Sequence, residues 1–393
     1  MTEDGVGSDA RPDPVADADA DAGRRRIPSP DGGVEHAVRD GADGSGGAGP
    51  VDARGIAEAA HRVDGRPDRA LALAVEVGQW LPAPGSGRIA DRWRALTALG
   101  VGDLTAARVV EAHTDALAIV AEAESDAAGD RSLADLLAPA VDRRSTWGVF
   151  AAEGPGVRVD ARPAGGSWLL TGTKPWCSLA GRLSHALVTA HTGSGTRRLF
   201  ALDLRHPAVR VLEAGWVARG LTEVVSGPIE LFDCPAVPVG SDGWYLQRPG
   251  FAWGGMGVAA CWYGGAVGLA RTLREAYRTG EPDQIAMMHL GAVDAVLTGA
   301  RAVLGQAAVA IDHGRGRGAD GALWASRVRA VVARAAEEVV QRVGHALGPA
   351  PLVSDERHAR RVADLQLYLR QDHAERDDAA LGRRVLGLTD WLG

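Results

Sequence analysis

The 393-residue chain reads as a multidomain α+β protein: an N-terminal helical domain, a middle antiparallel β-barrel or sandwich, and a C-terminal bundle of four long helices. Three observations predict this. Apolar residues recur at helical spacing from Asp68 to Ala140, and again after Trp244. Between these stretches lie seven short segments, most of them bounded by Gly, Pro, Asp or Ser, at the spacing of a sandwich or barrel of about 100 residues. Glycine- and proline-rich breaks then cut the last third into runs of about 30 residues, each roughly 45 Å long as a helix. Four such runs with short connections form an antiparallel bundle.

The first 65 residues lie outside these patterns. They include ADADADAG and GADGSGGAGP and have no apolar period, so residues 1–65 are expected to be a disordered acidic tail. Residues 1–50 carry 11 acids and 5 arginines, hence −6 of the total −7. The remaining 38 basic and 39 acidic residues nearly cancel, which argues against nucleic acid as a partner. The N-terminus has neither the basic start nor the apolar core of a secretory signal, so a cytoplasmic location is expected.

Residues 66–145 form the expected helical domain. Leu71, Ala74 and Val75 begin one apolar face; Leu104, Ala107, Val110, Leu117 and Val120 mark a longer one, opened by Asp103 as N-cap. Pro82–Gly87 is the loop between them. Strands are expected across residues 146–245, at Trp147–Ala152, Val157–Ala161, Ser167–Thr171, His185–Ala190, Arg198–Leu202, Val209–Leu212 and Gly227–Phe232. The bundle, residues 246–393, divides into helices near 250–279, 284–313, 322–347 and 356–387.

Pro249–Ala270 is a 22-residue run without charge, which is long enough to span a bilayer. Seven glycines, a single leucine and a polar continuation favour a helix enclosed by other helices, and no membrane partner is expected. Cys177, Cys234 and Cys261 are widely spaced and odd in number, so neither a disulfide framework nor a metal site is indicated. There is one lysine, Lys174, and no asparagine, a coding bias that makes the abundance of arginine uninformative. No GxGxxG lies between a strand and a helix, and HExxH and GxSxG are absent.

The order of helical domain, β domain and long bundle resembles the acyl-CoA dehydrogenase family. Ser167–Ser178, containing Gly-Thr-Lys-Pro-Trp-Cys-Ser, is similar to the strand-turn-strand that borders the flavin in that family. Thr222–Pro238 is similar to its closing strand, and Gln341-Arg-Val-Gly344 to the start of its Gln-x-x-Gly-Gly turn. The resemblance implies a flavin, FAD or a diffusible reduced flavin, placed between the β domain and the bundle. It would assign Ala151, Ala152, Trp176, Ser178, Gln341 and Gly344 to cofactor binding. An indole supplies stacking area and a hydroxyl can donate or accept, which suits Trp176 and Ser178 to that role. Their other reading is a core Trp and a turn Ser.

The resemblance further implies an oxidoreductase acting on CH–CH bonds of an acyl thioester-like small molecule, in a homo- or hetero-oligomer. That reaction requires a carboxylate base, yet Leu369 follows Tyr368 where the family places its Glu, and Trp253-Gly-Gly stands at the alternative location. Arg-x-x-Phe-Gly, which grips a neighbouring subunit's flavin phosphates, is also missing, although Arg274 or Arg278 could meet phosphate. The last helix offers Arg370 and His373 instead, three apart on one face, resembling a flavin monooxygenase of the same fold that is fed by a partner reductase. Tyr368, Arg370 and His373 are expected to line the far wall of the flavin slot, with Arg370 and His373 the catalytic candidates. A non-catalytic subunit of a heteromer is the third reading. His113 reads as a helix-surface or interface residue.

Overall fold

The computed structural model describes residues 51–126, 141–193, 195–213 and 215–391. The expected tail up to residue 50 and part of the expected helix before Ala140 therefore lie outside the described residues. The expected tail boundary at 65 is too late. Helix α1 spans Ala53–His61, capped by Asp52, whose carboxylate accepts from the N–H groups of Arg54 and Gly55.

Three further helices follow among the described residues of the N-terminal part. Helix α2 (Pro67–Gly78) starts with Pro at a position that needs no amide donor, and α3 (Ile89–Gly102) follows the expected loop. Helix α4 (Leu104–Asp126) opens on Asp103, whose Oδ1 accepts from Ala106 N at 2.9 Å. His113, read from sequence as a helix-surface or interface residue, is not on the surface but buried between elements. Its Nδ1 accepts the Trp147 N–H at 3.2 Å and ties α4 to the first strand.

All seven expected strands form: β1 (Trp147–Phe150), β2 (Val159–Ala164), β3 (Ser167–Ser178), β4 (His185–His191), β5 (Arg197–Asp203), β6 (Val209–Val211) and β7 (Ser226–Val239). Strand β4 pairs with β2 and β5, β3 with β2 and β7, and β5 with β7, closing a ring, while β1 and β6 pair with β4 and β7. The sheet is not wholly antiparallel. β1 runs parallel to β4, and β2 meets β4 in a parallel bridge, because the connections from β1 and β2 cross to a strand that runs the same way. Leu170, Ala186, Val188, Phe200, Leu202, Ile229 and Leu231 fill the interior.

A short helix α5 (Trp244–Gln247) leads into three long ones: α6 (Pro249–Arg278), α7 (Gln284–Asp312) and α8 (Gly318–Leu347). The uncharged run belongs to α6 and is interior, with Trp253, Met256, Cys261 and Trp262 all buried. Its glycines permit close helix contact. A Cβ on Gly264 would lie 2.2 Å from Thr97 O, and one on Gly100 2.5 Å from Cys261 O, so α3 and α6 touch through backbone. Among the described residues only α7 is long and apolar enough to cross a membrane by length and composition.

The fourth bundle helix is broken. After the short α9 (Ala350–Ser354), α10 covers Glu356–Tyr368 and ends in a single 3₁₀ turn, Leu369–Gln371. The chain then leaves helical geometry at Asp372–Ala374, where Ala374 has φ 47°, and resumes as α11 (Glu375–Leu386). Asp372 and Asp377 side chains accept the Ala374 and His373 amides at 3.1 Å and stabilise the break. The barrel meets α10 through a loop. Leu221 N–H donates to Asp364 Oδ1, and Gly220 approaches the Ala363 carbonyl so closely that a Cβ would be 2.0 Å away.

Candidate functional site

On the barrel, the site is built from the end of β3. The β3–β7 register slips between Lys174 and Cys177, so Pro175 and Trp176 form a bulge. Trp176 is held at φ 60°, a left-handed conformation that bulky residues rarely adopt, and the residue is 61% exposed. It is therefore not the core tryptophan that sequence alone allowed.

The neighbours of Trp176 are fixed from beneath. Lys174, the sole lysine, is 2% exposed, and its ammonium reaches Glu153 at 2.7 Å and Thr189 Oγ1 at 2.8 Å. Burial lowers its pKa while the Glu153 carboxylate opposes that shift. Thr189 Oγ1 also lies 3.5 Å from Ala151 O, so one network joins β3 to the segment after β1 that holds Ala151 and Ala152. Ala152 is exposed and Ala151 half-buried. Ser178, at the end of the arm, shares a 2.7 Å hydrogen bond with Ser226 Oγ. The structure thus places Ala151, Ala152, Trp176 and Ser178 on one connected part of the barrel.

The bundle residues form a second group. Glu337, Gln341 and Gly344 fall at i, i+4 and i+7 along α8 and so share one face of it. Arg370 pairs with Glu337 from the 3₁₀ turn, bringing the turn to that face. Gln341 is exposed, and a Cβ at Gly344 would meet nothing within 4 Å. Arg370 and His373 do not share a helix face, contrary to the sequence reading, because the helix ends between them. His373 stands exposed in the break, with Nδ1 3.5 Å from Asp377 Oδ1.

Tyr368 is also placed differently from expectation. It is 1% exposed and points inward rather than lining an open wall. Its hydroxyl donates to Glu111 Oε2 at 3.4 Å, and its ring meets Trp262 edge-on at 6.3 Å. Arg108 Nη1 lies 3.3 Å from the same carboxylate oxygen. Even so, burial pushes the Glu111 carboxyl up to about 7, with Arg108 opposing the shift. Arg329 extends the cluster outward: it stacks over Trp262 at 4.7 Å and donates to Gln371 O at 2.7 Å. Leu369 and Trp253, at the two expected positions of a carboxylate base, are both buried apolar side chains.

Glu111 was not singled out from sequence, although a signal was present. It falls four residues after Ala107 and seven after Leu104, which puts a carboxylate on the apolar face of α4.

No family model matches the chain, and no curated protein matches it either. Solved structures do. KijD3 in complex with FMN and dTDP-3-amino-2,3,6-trideoxy-4-keto-3-methyl-D-glucose is 22% identical, with TM-score 0.71, over 87% of this chain and 92% of that one. TdsC from Paenibacillus sp. A11-2 with FMN and indole is 17% identical, with TM-score 0.69, over 84% and 95%. Nitrososynthase from Micromonospora carbonacea var. africana is 19% identical, with TM-score 0.70, over 86% and 94%. The chain therefore has the acyl-CoA dehydrogenase-like fold anticipated from its order of domains.

Proposed function

We propose that the chain is a flavin-dependent oxidoreductase that works as the oxygenase half of a two-component system. The observation that carries this reading is Trp176: an indole held in a strained bulge and left exposed, as a stacking platform for a flat ring requires. The surrounding groups fit a flavin. Ser178 and Ser226 offer hydroxyls that donate or accept, and Ala151 and Ala152 offer backbone groups. The exposed Gln341 and the open position at Gly344 leave room for a dinucleotide tail if the flavin is FAD. Similar structures solved with FMN support a diffusible flavin equally well.

When bound in reduced form, the flavin would supply the electrons that activate dioxygen. This chain's own residues would position the ring and deliver a proton. His373 carries an exposed imidazole near Asp377, and Arg370, paired with Glu337, stands in the 3₁₀ turn just before it. Monooxygenation is favoured over acyl thioester dehydrogenation because Leu369 and Trp253 provide no base. The dehydrogenase reading retains one support, the Glu111 carboxylate beside Tyr368, but that carboxylate is buried and would have to be uncovered to act as a base on substrate. A reductase, or a heteromeric partner, follows from the need for reduced flavin.

Stopped-flow mixing separates these reactions. Protein with photoreduced FMN, mixed with oxygenated buffer, should reoxidise the flavin on a time course different from that of free FMN, and octanoyl-CoA with a ferricenium acceptor should give no turnover. Turnover of octanoyl-CoA would overturn the choice of reaction.

A further inference from the structure

A groove on the helical side of the molecule has no part in the flavin reading. It lies where α1 and α3 meet α6 and α7 and has a volume of about 1130 Å³, ample for a small organic molecule. Trp93, Val101, Val267, Leu304 and Ala308 give it apolar walls. Arg54, Arg62, Arg94, Arg271 and Arg301 stand around it against one lining carboxylate, Glu58.

Two of these arginines are already occupied. Arg54 pairs with Glu58 at 2.9 Å and Arg94 with Asp91 at 2.5 Å. The other three, Arg62, Arg271 and Arg301, make no ion pair among the described residues. Outside residues 1–50 the chain is close to neutral, with 38 basic and 39 acidic residues, so this is a local excess of positive charge. Its placement follows from helical spacing. Val267 and Arg271 are four apart on α6, while Arg301, Leu304 and Ala308 fall at i, i+3 and i+7 on α7. Each helix therefore offers the groove an apolar side chain and, along the same face, a free guanidinium.

We propose that this groove binds a small amphipathic anion, its apolar body against Trp93 and Leu304 and its phosphate or carboxylate head on Arg271 and Arg301. Guanidinium groups suit such a head because their planar N–H pairs match two oxygens at once. The proposal is independent of the flavin reading and survives if that reading fails.

Isothermal titration of the full chain with decyl phosphate tests it, with decyl glucoside as the uncharged control. Decyl phosphate should bind and the glucoside should bind much more weakly. The double variant Arg271→Ala/Arg301→Ala should lose about tenfold or more in affinity. Gly305→Phe gives a second, steric test, since Gly305 lines the groove and its Cβ direction is open. This variant should also weaken binding while keeping the wild-type melting temperature. Absence of binding, equal affinity for both amphiphiles, or an unchanged double variant would overturn the proposal. So would sedimentation showing an oligomer that the double variant dissociates, because the groove would then belong to a second copy.

Discussion

The hydroxyl of Tyr368 lies 3.4 Å from Oε2 of Glu111, and both residues are buried. This contact joins α4 to α10 and holds the Glu111 carboxyl in the helical interior. Burial raises the Glu111 carboxyl to about 7, so the folded state holds a proton that the unfolded state has lost above about 4.5. The resulting stabilisation is present in full below the unfolded value and disappears as pH rises through 7. Glu111→Gln keeps the shape without the ionisation. Its melting temperature relative to wild type should therefore be higher at pH 8 than at pH 5, as differential scanning calorimetry would show. A difference independent of pH would mean that Glu111 is ionised throughout.

Exposure and strain at Trp176 predict an unusual pair of mutational results. Trp176→Gly relieves a positive φ and removes little buried area, so thermal stability should be unchanged or raised by about 0.5–1 kcal/mol. Trp262→Ala, at a fully buried position beside Tyr368, should cost about 3–5 kcal/mol. Chemical denaturation of the two variants makes the comparison. A large loss from Trp176→Gly would show that the indole packs against something after all.

Lys174 supplies a labelling test. Because the only lysine is buried against Glu153 and Thr189, an amine-reactive ester should leave it unmodified in the native protein and modify it on denaturation. Peptide mass spectrometry reads the site directly. Rapid native labelling would mean that the β3 arm opens and exposes this network.

His113 gives the opposite pH response to Glu111. Burial depresses its pKa to about 4, so the unfolded chain gains a proton between about 6.5 and 4 that the folded chain refuses. Stability from this residue is present above 6.5 and lost as pH falls, with a full effect of about 3 kcal/mol. His113→Gln can still accept the Trp147 N–H and should lose less stability than wild type between pH 7 and pH 4.5. Urea denaturation at the two pH values checks this. Identical losses would place the imidazole in contact with water.

Much of the fold was legible because it rests on local pattern. Short segments bounded by turn residues at a regular spacing located all seven strands, and Asp103 marked a helix start through a cap that it does make. What depended on three-dimensional context was not legible. The break at Asp372–Ala374 follows from side chains accepting backbone amides in a run with no Gly or Pro to announce it. Parallel pairing of β1 with β4 has no signature in either segment. At the site, the motif around Trp176 was readable, but its exposure came from a register slip between two distant strands. Glu111 was hidden by a different cause: its partner Tyr368 lies 257 residues away.

Binding of flavin by the barrel arm is the central claim, and titration of the apoprotein with FMN and FAD in both redox states tests it most directly. The account predicts saturable binding of at least one of these and a roughly tenfold weakening in Trp176→Ala, whose fold should be intact. No binding of any flavin, or binding that Trp176→Ala leaves unchanged, would contradict it.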